Sequence, residues 1–160
     1  MENLDVLVFD FDGVLTNNLV HLDQNGNEWV SCHRGDGLAF DSLRKLNKPV
    51  FILSTEKNAV VTARANKLKI PALQAVDDKV AALEKLADTK GFNLDRVLYV
   101  GNDLNDYRVM QLCGYSACPA DSHQKIREVA TVILRSRGGE GVARELLEEI
   151  LNVDLLKILY

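Results

Sequence analysis

The run VLVFDFDGVLT, residues 6–16, decides how the rest of the chain is read. Val6 to Phe9 read as a buried strand, and two acids, Asp10 and Asp12, follow it with one Phe between them. Adjacent carboxylates at the end of a buried strand repel one another and lose hydration, so stability alone disfavours them. In an extended chain, residues two apart point the same way, so both acids face one place. A ligand that needs both carboxylates offsets the cost.

Outward from that strand, apolar runs alternate with amphipathic stretches. Strands are expected at 5–9, 49–53, 97–100, 115–118 and 131–134, and helices at 36–47, 57–69, 78–90, 103–113, 122–129 and 140–151. Such alternation predicts an α/β fold, a mostly parallel sheet with helices on both faces, in which ligands bind beyond the carboxyl ends of the strands. No repeat, linker or low-complexity segment interrupts residues 1–160, so a single domain is expected. One segment breaks the alternation. Residues 18–32, NLVHLDQNGNEWVSC, place Asn25-Gly26 between two β-prone runs, which predicts a hairpin with a type I′ turn projecting close to Asp12. Trp29 on that hairpin either covers the domain's own core or meets another subunit.

Composition narrows the function. With 160 residues and 47% hydrophobic content, the chain is long enough to enclose a core. A net charge of −4 without a block of Lys or Arg argues against nucleic acid. No apolar run approaches the ~20 residues of a membrane span, and strand-like sequence begins within five residues of the start, so neither a membrane partner nor a leader is expected. Cys32, Cys113 and Cys118 lack metal-ligand spacing and read as reduced thiols, in keeping with a cytoplasmic location.

The residues after each strand form a set. Ser54-Thr55 follow PVFIL, Gly101-Asn102-Asp103-Leu104-Asn105-Asp106 follow RVLYV, and Lys79 opens the helix DDKVAALEKL. A hydroxyl, an ammonium and several oxygen donors at one sheet edge suit an anion held with a divalent cation, for which Mg²⁺ with a few carboxylates and waters suffices. In that chemistry Asp10, closest to the strand, suits a nucleophile that forms an aspartyl phosphate, and Asp12 suits the general acid–base. Ser54 would donate to phosphoryl oxygens and Lys79 would supply fixed positive charge. Taken singly, each has a plainer reading: a turn acid, a helix cap, a solvated lysine. The order in which all four occur is what carries the case.

At these residues the chain resembles the haloacid dehalogenase superfamily of phosphatases, whose four motifs match DFDGV at 10–14, Ser54, Lys79 and GNDLND at 101–106. The resemblance spans essentially the whole chain and implies a Rossmann-like fold. It also implies Mg²⁺ held by the Asp10 carboxylate, the Asp12 carbonyl and a residue of the fourth motif. Where that motif usually has an acid the chain has Asn102, with Asp103 beside it as an alternative ligand and Asp106 orienting a metal-bound water. The intervals between motifs leave no room for an inserted cap. The chain therefore looks like the capless subgroup that resembles 3-deoxy-octulosonate 8-phosphate phosphatase, with RGDG at 34–37 and the tail SRGGEGVARELLEEIL at 136–151 as further matches. That subgroup implies a homotetramer assembled through the hairpins, with the glycine-rich tail loop closing over a neighbour's site. Thr55, Glu56, Arg64, Lys67 and Arg34 are the candidate contacts to a sugar phosphate substrate. Glu56 and Lys67 look more like the enzyme acting on the nine-carbon 2-keto-3-deoxynononate 9-phosphate, and Glu56, Arg64 and Lys67 are expected to lie together.

Overall fold

A computed structural model describes residue 1 and residues 3–160. After β1 (Val6–Phe9), β2 (His21–Leu22) and β3 (Glu28–Trp29) pair antiparallel as a separate ribbon. The main sheet is completed by β4 (Val50–Leu53), β5 (Ala72–Leu73), β6 (Val97–Val100), β7 (Tyr115–Cys118) and β8 (Val132–Ile133), all parallel, in the order β5-β4-β1-β6-β7-β8. The chain works outward from β1 to β5, returns to β6 and works outward again. The order therefore reverses between β1 and β6, where a parallel sheet opens a crevice beyond its carboxyl ends. This is the expected α/β fold.

Among the described residues, seven α-helical segments cover the sheet. On one face lie α1 (Gly35–Lys45), α2 (Val60–Leu68), α6 (Val142–Glu145) and α7 (Leu155–Leu159); on the other lie α3 (Lys79–Lys90), α4 (Tyr107–Leu112) and α5 (Gln124–Val129). Strand alternation divides the core between them: Leu7 and Phe9 enter the first cluster, Val6 and Val8 the second. Phe9 meets Phe40 of α1 edge-on, ring centroids 5.2 Å apart.

Several expectations are corrected. The ribbon's turn is not type I′. The Asp23 carboxylate accepts from the Asn25 and Asn27 N–H groups at 2.8 and 2.9 Å, and Gly26 N–H bonds to the Asp23 carbonyl. Gly26 alone takes a positive φ, +81°, so the loop is a turn followed by one left-handed glycine. Trp29 does not cover the core; it stacks on His21 and stays 52% exposed, with Leu19, Val20 and Leu22 exposed around it. The last helix is not uniform either: after α6 it widens over residues 146–150, where the Leu151 N–H reaches the Leu146 carbonyl. The glycine-rich loop before α6 packs on the segment that follows β1. Gly139 N–H bonds to the Val14 carbonyl at 3.0 Å, so the loop sits on its own chain.

Glu145 ties that loop down. Its buried carboxylate accepts from the Arg135 and Ser136 N–H groups at 2.8 and 2.7 Å, just past β8. Burial pushes this carboxyl up, but hydrogen bonds from Ser136 and Arg135 outweigh it and hold it below the usual range. A lowered carboxyl stabilises the fold above its ordinary pKa and loses that contribution as pH falls through the folded value. We expect Glu145→Gln to cost about 1–3 kcal/mol at neutral pH and to flatten the loss of stability in acid, read from urea melts at pH 7 and below 4.5.

Candidate active site

The loops after β1, β4 and β6 and the start of α3 converge beyond the strand ends. Asp10 continues β1, its N–H bonded to the Val100 carbonyl of β6 at 2.8 Å. Its carboxylate accepts from the Phe11 N–H at 2.8 Å and from the Lys79 ammonium at 2.9 Å. Lys79, on the first turn of α3, also reaches Asp106 at 2.6 Å. All three side chains are buried. The second Asp106 oxygen accepts from Asn102 N–H at 2.8 Å, and the Tyr99 hydroxyl of β6 completes the cluster at 2.8 Å from the first. Gly101 is required here, because a Cβ would lie 2.6 Å from the Asp106 side chain.

Charge crowding sets the protonation of these groups. Burial and the nearby Asp106 carboxylate push Asp10 up to about 8, against the pull of Lys79. Burial alone would lower the Lys79 ammonium, but Asp10 and Asp106 hold it above its ordinary value. Asp12 is half-buried and also raised, chiefly by burial and then by the Glu56 carboxylate. Its carboxylate lies 3.5 Å from the Thr16 hydroxyl, which accepts from the Gly13 and Asn18 N–H groups.

Ser54 accepts from the Glu56 N–H at 3.1 Å, which leaves its hydrogen available to the pocket it lines. That pocket, ≈ 280 Å³, is bounded by Asp10, Asp12, Ser54, Thr55, Asn102 and Asp103, with Asn18, Leu104 and Asn105 at its rim. Among the described residues no three carboxylate, imidazole or thiolate side chains gather as a metal cluster. The donors available beside Asp10 are of another kind. Asn102 Oδ1 is buried and without a hydrogen-bond partner, a costly state for an amide oxygen that a cation would satisfy. Asp103 is exposed and turns its carboxylate back to the Leu104 N–H at 2.7 Å, capping the short helix. The donor set thus fits a hard divalent cation through Asp10 and Asn102 better than through Asp103.

The other predicted contacts separate. Glu56 precedes α2 and accepts from the Lys57 and Asn58 N–H groups at 2.6 Å each, and Asn58 donates to Glu28 of the ribbon. Arg64 and Lys67 instead line a different cleft with Arg34, between α1 and α2, and Arg64 donates to the His33 carbonyl at 2.8 Å. Sequence reasoning missed Thr16, Asn18, Tyr99 and Glu28. Thr16 and Asn18 follow the first motif directly, and Tyr99 is a polar tip in a buried strand; those were the available signals.

The fold and this site define a phosphatase-type α/β hydrolase, and comparison with known proteins agrees. The family model for haloacid dehalogenase-like hydrolases matches residues 42–146. The 3-deoxy-D-manno-octulosonate 8-phosphate phosphatase of Yersinia pestis is 32% identical over 150 residues, 93% of this chain and 80% of that protein. A solved HAD family hydrolase from Streptomyces avermitilis is 45% identical with a TM-score of 0.93, covering 96% of this chain and 88% of the other. The 3-deoxy-D-manno-octulosonate 8-phosphate phosphatase of Moraxella catarrhalis, solved with magnesium, phosphate and the sugar acid, is 28% identical with a TM-score of 0.89, covering 94% and 87%. The chain belongs to the haloacid dehalogenase superfamily of hydrolases, in its 3-deoxy-D-manno-octulosonate 8-phosphate phosphatase-like family.

Replacing Lys79 by Met removes the cation between two buried carboxylates. We expect a loss of about 3–5 kcal/mol in urea denaturation at pH 7, as when one partner of a buried pair is deleted.

Proposed function

We propose that the chain is a Mg²⁺-dependent phosphomonoesterase that removes the terminal phosphate of an acidic ulosonic sugar, the eight-carbon 8-phosphate in preference to the nine-carbon 9-phosphate. The observation that carries this reading is the buried Asp10–Lys79–Asp106 cluster opening on a polar pocket at the point where strand order reverses. Asp10 attacks phosphorus as the bond to the sugar oxygen breaks, and Asp12 gives its proton to the departing alkoxide. Asp12 then takes a proton from water, which attacks the aspartyl phosphate, releases phosphate and restores Asp10. Ser54 donates to a phosphoryl oxygen, and Lys79 holds positive charge beside the reacting group. The Asp10 carboxylate, the Asp12 carbonyl and the Asn102 amide oxygen would hold Mg²⁺, which when bound neutralises phosphate charge and favours ionised Asp10. Asp106 positions Lys79 and the Asn102 backbone.

The eight-carbon preference reverses the sequence expectation. The nine-carbon reading rested on the resemblance of Glu56 and Lys67 to that enzyme, and no ion pair joins Glu56 to Arg64 or Lys67 among the described residues. The named relatives act on 3-deoxy-D-manno-octulosonate 8-phosphate. The exposed Leu19, Val20, Leu22 and Trp29 support assembly of a homotetramer through the ribbon. In that assembly the Arg34, Arg64 and Lys67 cleft meets the sugar carboxylate at a neighbour's pocket, while Thr55 contacts the leaving group. Three free cysteines suit a reducing, cytoplasmic setting.

Phosphate release from both sugar phosphates, with and without Mg²⁺, is the direct test. Mg²⁺-dependent turnover favouring the eight-carbon acid is expected; a preference for the nine-carbon acid would reverse the substrate assignment. Asp10→Asn should abolish turnover in a folded protein, and full activity in that variant would sink the mechanism. Asn102→Asp adds a negative charge at the metal site and should lower the Mg²⁺ concentration needed for half-maximal rate.

A further inference from the structure

The loop that carries Asp12 is squeezed from two sides. On one side is Asn102: Gly13 has φ +76°, and a Cβ there would lie 1.9 Å from the Asn102 side-chain nitrogen. On the other side lies the glycine loop before α6. A Cβ at Gly138 would fall 2.2 Å from the Gly13 carbonyl oxygen, and one at Gly139, with φ +72°, would fall 2.5 Å from the Asn17 nitrogen and 2.7 Å from the Thr16 carbonyl carbon. Contacts this short between backbones admit no side chain.

The glycine loop is itself fixed at several points. Asp121 accepts from Gly138 N–H at 2.9 Å, Glu145 holds the N–H groups of residues 135 and 136, and Gly139 N–H bonds to the Val14 carbonyl at 3.0 Å. At the far end, the buried Asp36 carboxylate of α1 accepts from Arg144 N–H at 3.1 Å and so pins the start of α6. The shelf is therefore stiff, and the Asp12 loop rests on it with Thr16 as the link: its buried hydroxyl accepts from two N–H groups of the loop and donates toward Asp12.

We propose that Gly138 and Gly139 are positioning residues for phosphoryl transfer, whose bare backbones set the height of the Asp12 loop between the tail and Asn102. This rests on the phosphatase reading above. A side chain on the shelf lifts residues 16–17, moves the Thr16 hydroxyl and displaces Asp12 from the reacting group. A displacement near 1 Å costs on the order of 100-fold in rate.

Gly139→Ala in the full chain tests this, beside Gly91→Ala, which shares a positive φ of +73° but has nothing within 4 Å of the added Cβ. Both variants carry the backbone strain; Gly139→Ala alone carries the crowding. With nitrophenyl phosphate and Mg²⁺, Gly139→Ala should lose roughly 10–100-fold in kcat with KM falling in step, so that kcat/KM changes little, and Gly91→Ala should keep its rate. Nitrophenolate leaves without a proton, whereas water attack on the aspartyl phosphate needs Asp12. Rapid mixing of Gly139→Ala should therefore give a burst of about one nitrophenolate per site before a slow steady rate. Equal kcat losses in the two variants, or a slow Gly139→Ala enzyme with no burst, would overturn the proposal. If Gly139→Ala does not fold, Asp121→Ala decides: it removes an exposed side chain that pins Gly138, and an unchanged kcat overturns the shelf. An unaltered Gly139→Ala enzyme beside an inactive Asp10→Asn enzyme overturns the shelf alone. A wild-type chain without Mg²⁺-dependent phosphate release overturns both readings.

Discussion

One lysine holds the site together. Lys79 lies between Asp10 at 2.9 Å and Asp106 at 2.6 Å, and each of the three comes from a different part of the chain: the end of β1, the start of α3 and the turn after β6. Burying three charges is expensive, and a well-packed apolar trio of similar volume is often as stable or more so. Hydrogen bonds from several elements hold the arrangement in place. Asp106 uses one oxygen for Lys79 and Tyr99 and the other for the Asn102 backbone, so the ammonium and the Asn102 loop are fixed by one carboxylate. Burial first, and the Asp106 carboxylate second, keep Asp10 raised against the pull of Lys79.

The backbone follows from that constraint. Asp10 and Asn102 can approach only if β1 and β6 are adjacent, and the crossover through α3 is what brings Lys79 back between them. Close approach then excludes side chains at two places. Gly101 makes room for Asp106, and Gly13 makes room for Asn102. Positive φ at Gly13 also turns the chain sharply enough for the Phe11 carbonyl to accept from the Leu15 and Thr16 N–H groups at 2.9 and 3.1 Å. The Asp12 loop is in this sense a set of close contacts between strand ends, with little freedom to vary.

Much of this was legible in the sequence, and the limits have physical causes. The long apolar runs gave five strands of the main sheet, and the polar residues after them gave Asp10, Asp12, Ser54, Lys79 and the GNDLND segment, because a parallel sheet delivers such residues to one edge. Strand β5 was not placed: two half-buried residues after Pro71 are too short to show a period. The turn type failed because Asn25-Gly26 was weighed alone, whereas the Asp23 side chain two residues earlier captures the local N–H groups. The cleft that Arg64 and Lys67 line with Arg34 was not legible either. Helical spacing says that Arg64 and Lys67 share a face of α2, but not where that face looks, and Glu56 lies before the helix begins.

That separation bears on how an acidic sugar is recognised. Neutral polar groups, Asn18, Thr55 and Asn105, line the pocket beside its carboxylates, while the lysine within reach is committed to Asp10 and Asp106. Beside it, Glu28 and Glu56 add negative charge near Asp12. Those neutral groups suit hydroxyls, and the cation Arg108 lines an adjoining hollow that shares Thr55, Leu104 and Asn105 with the pocket. The cations grouped by the fold, Arg34, Arg64 and Lys67, line a separate cleft between α1 and α2, and the chain's exposed apolar ribbon stands apart from its core. We propose that a second copy docked on the ribbon lets both surfaces act at one site. In the proposed assembly, one subunit supplies the phosphate chemistry and its neighbour the charge that selects the acid, so specificity and oligomer formation depend on the same contact.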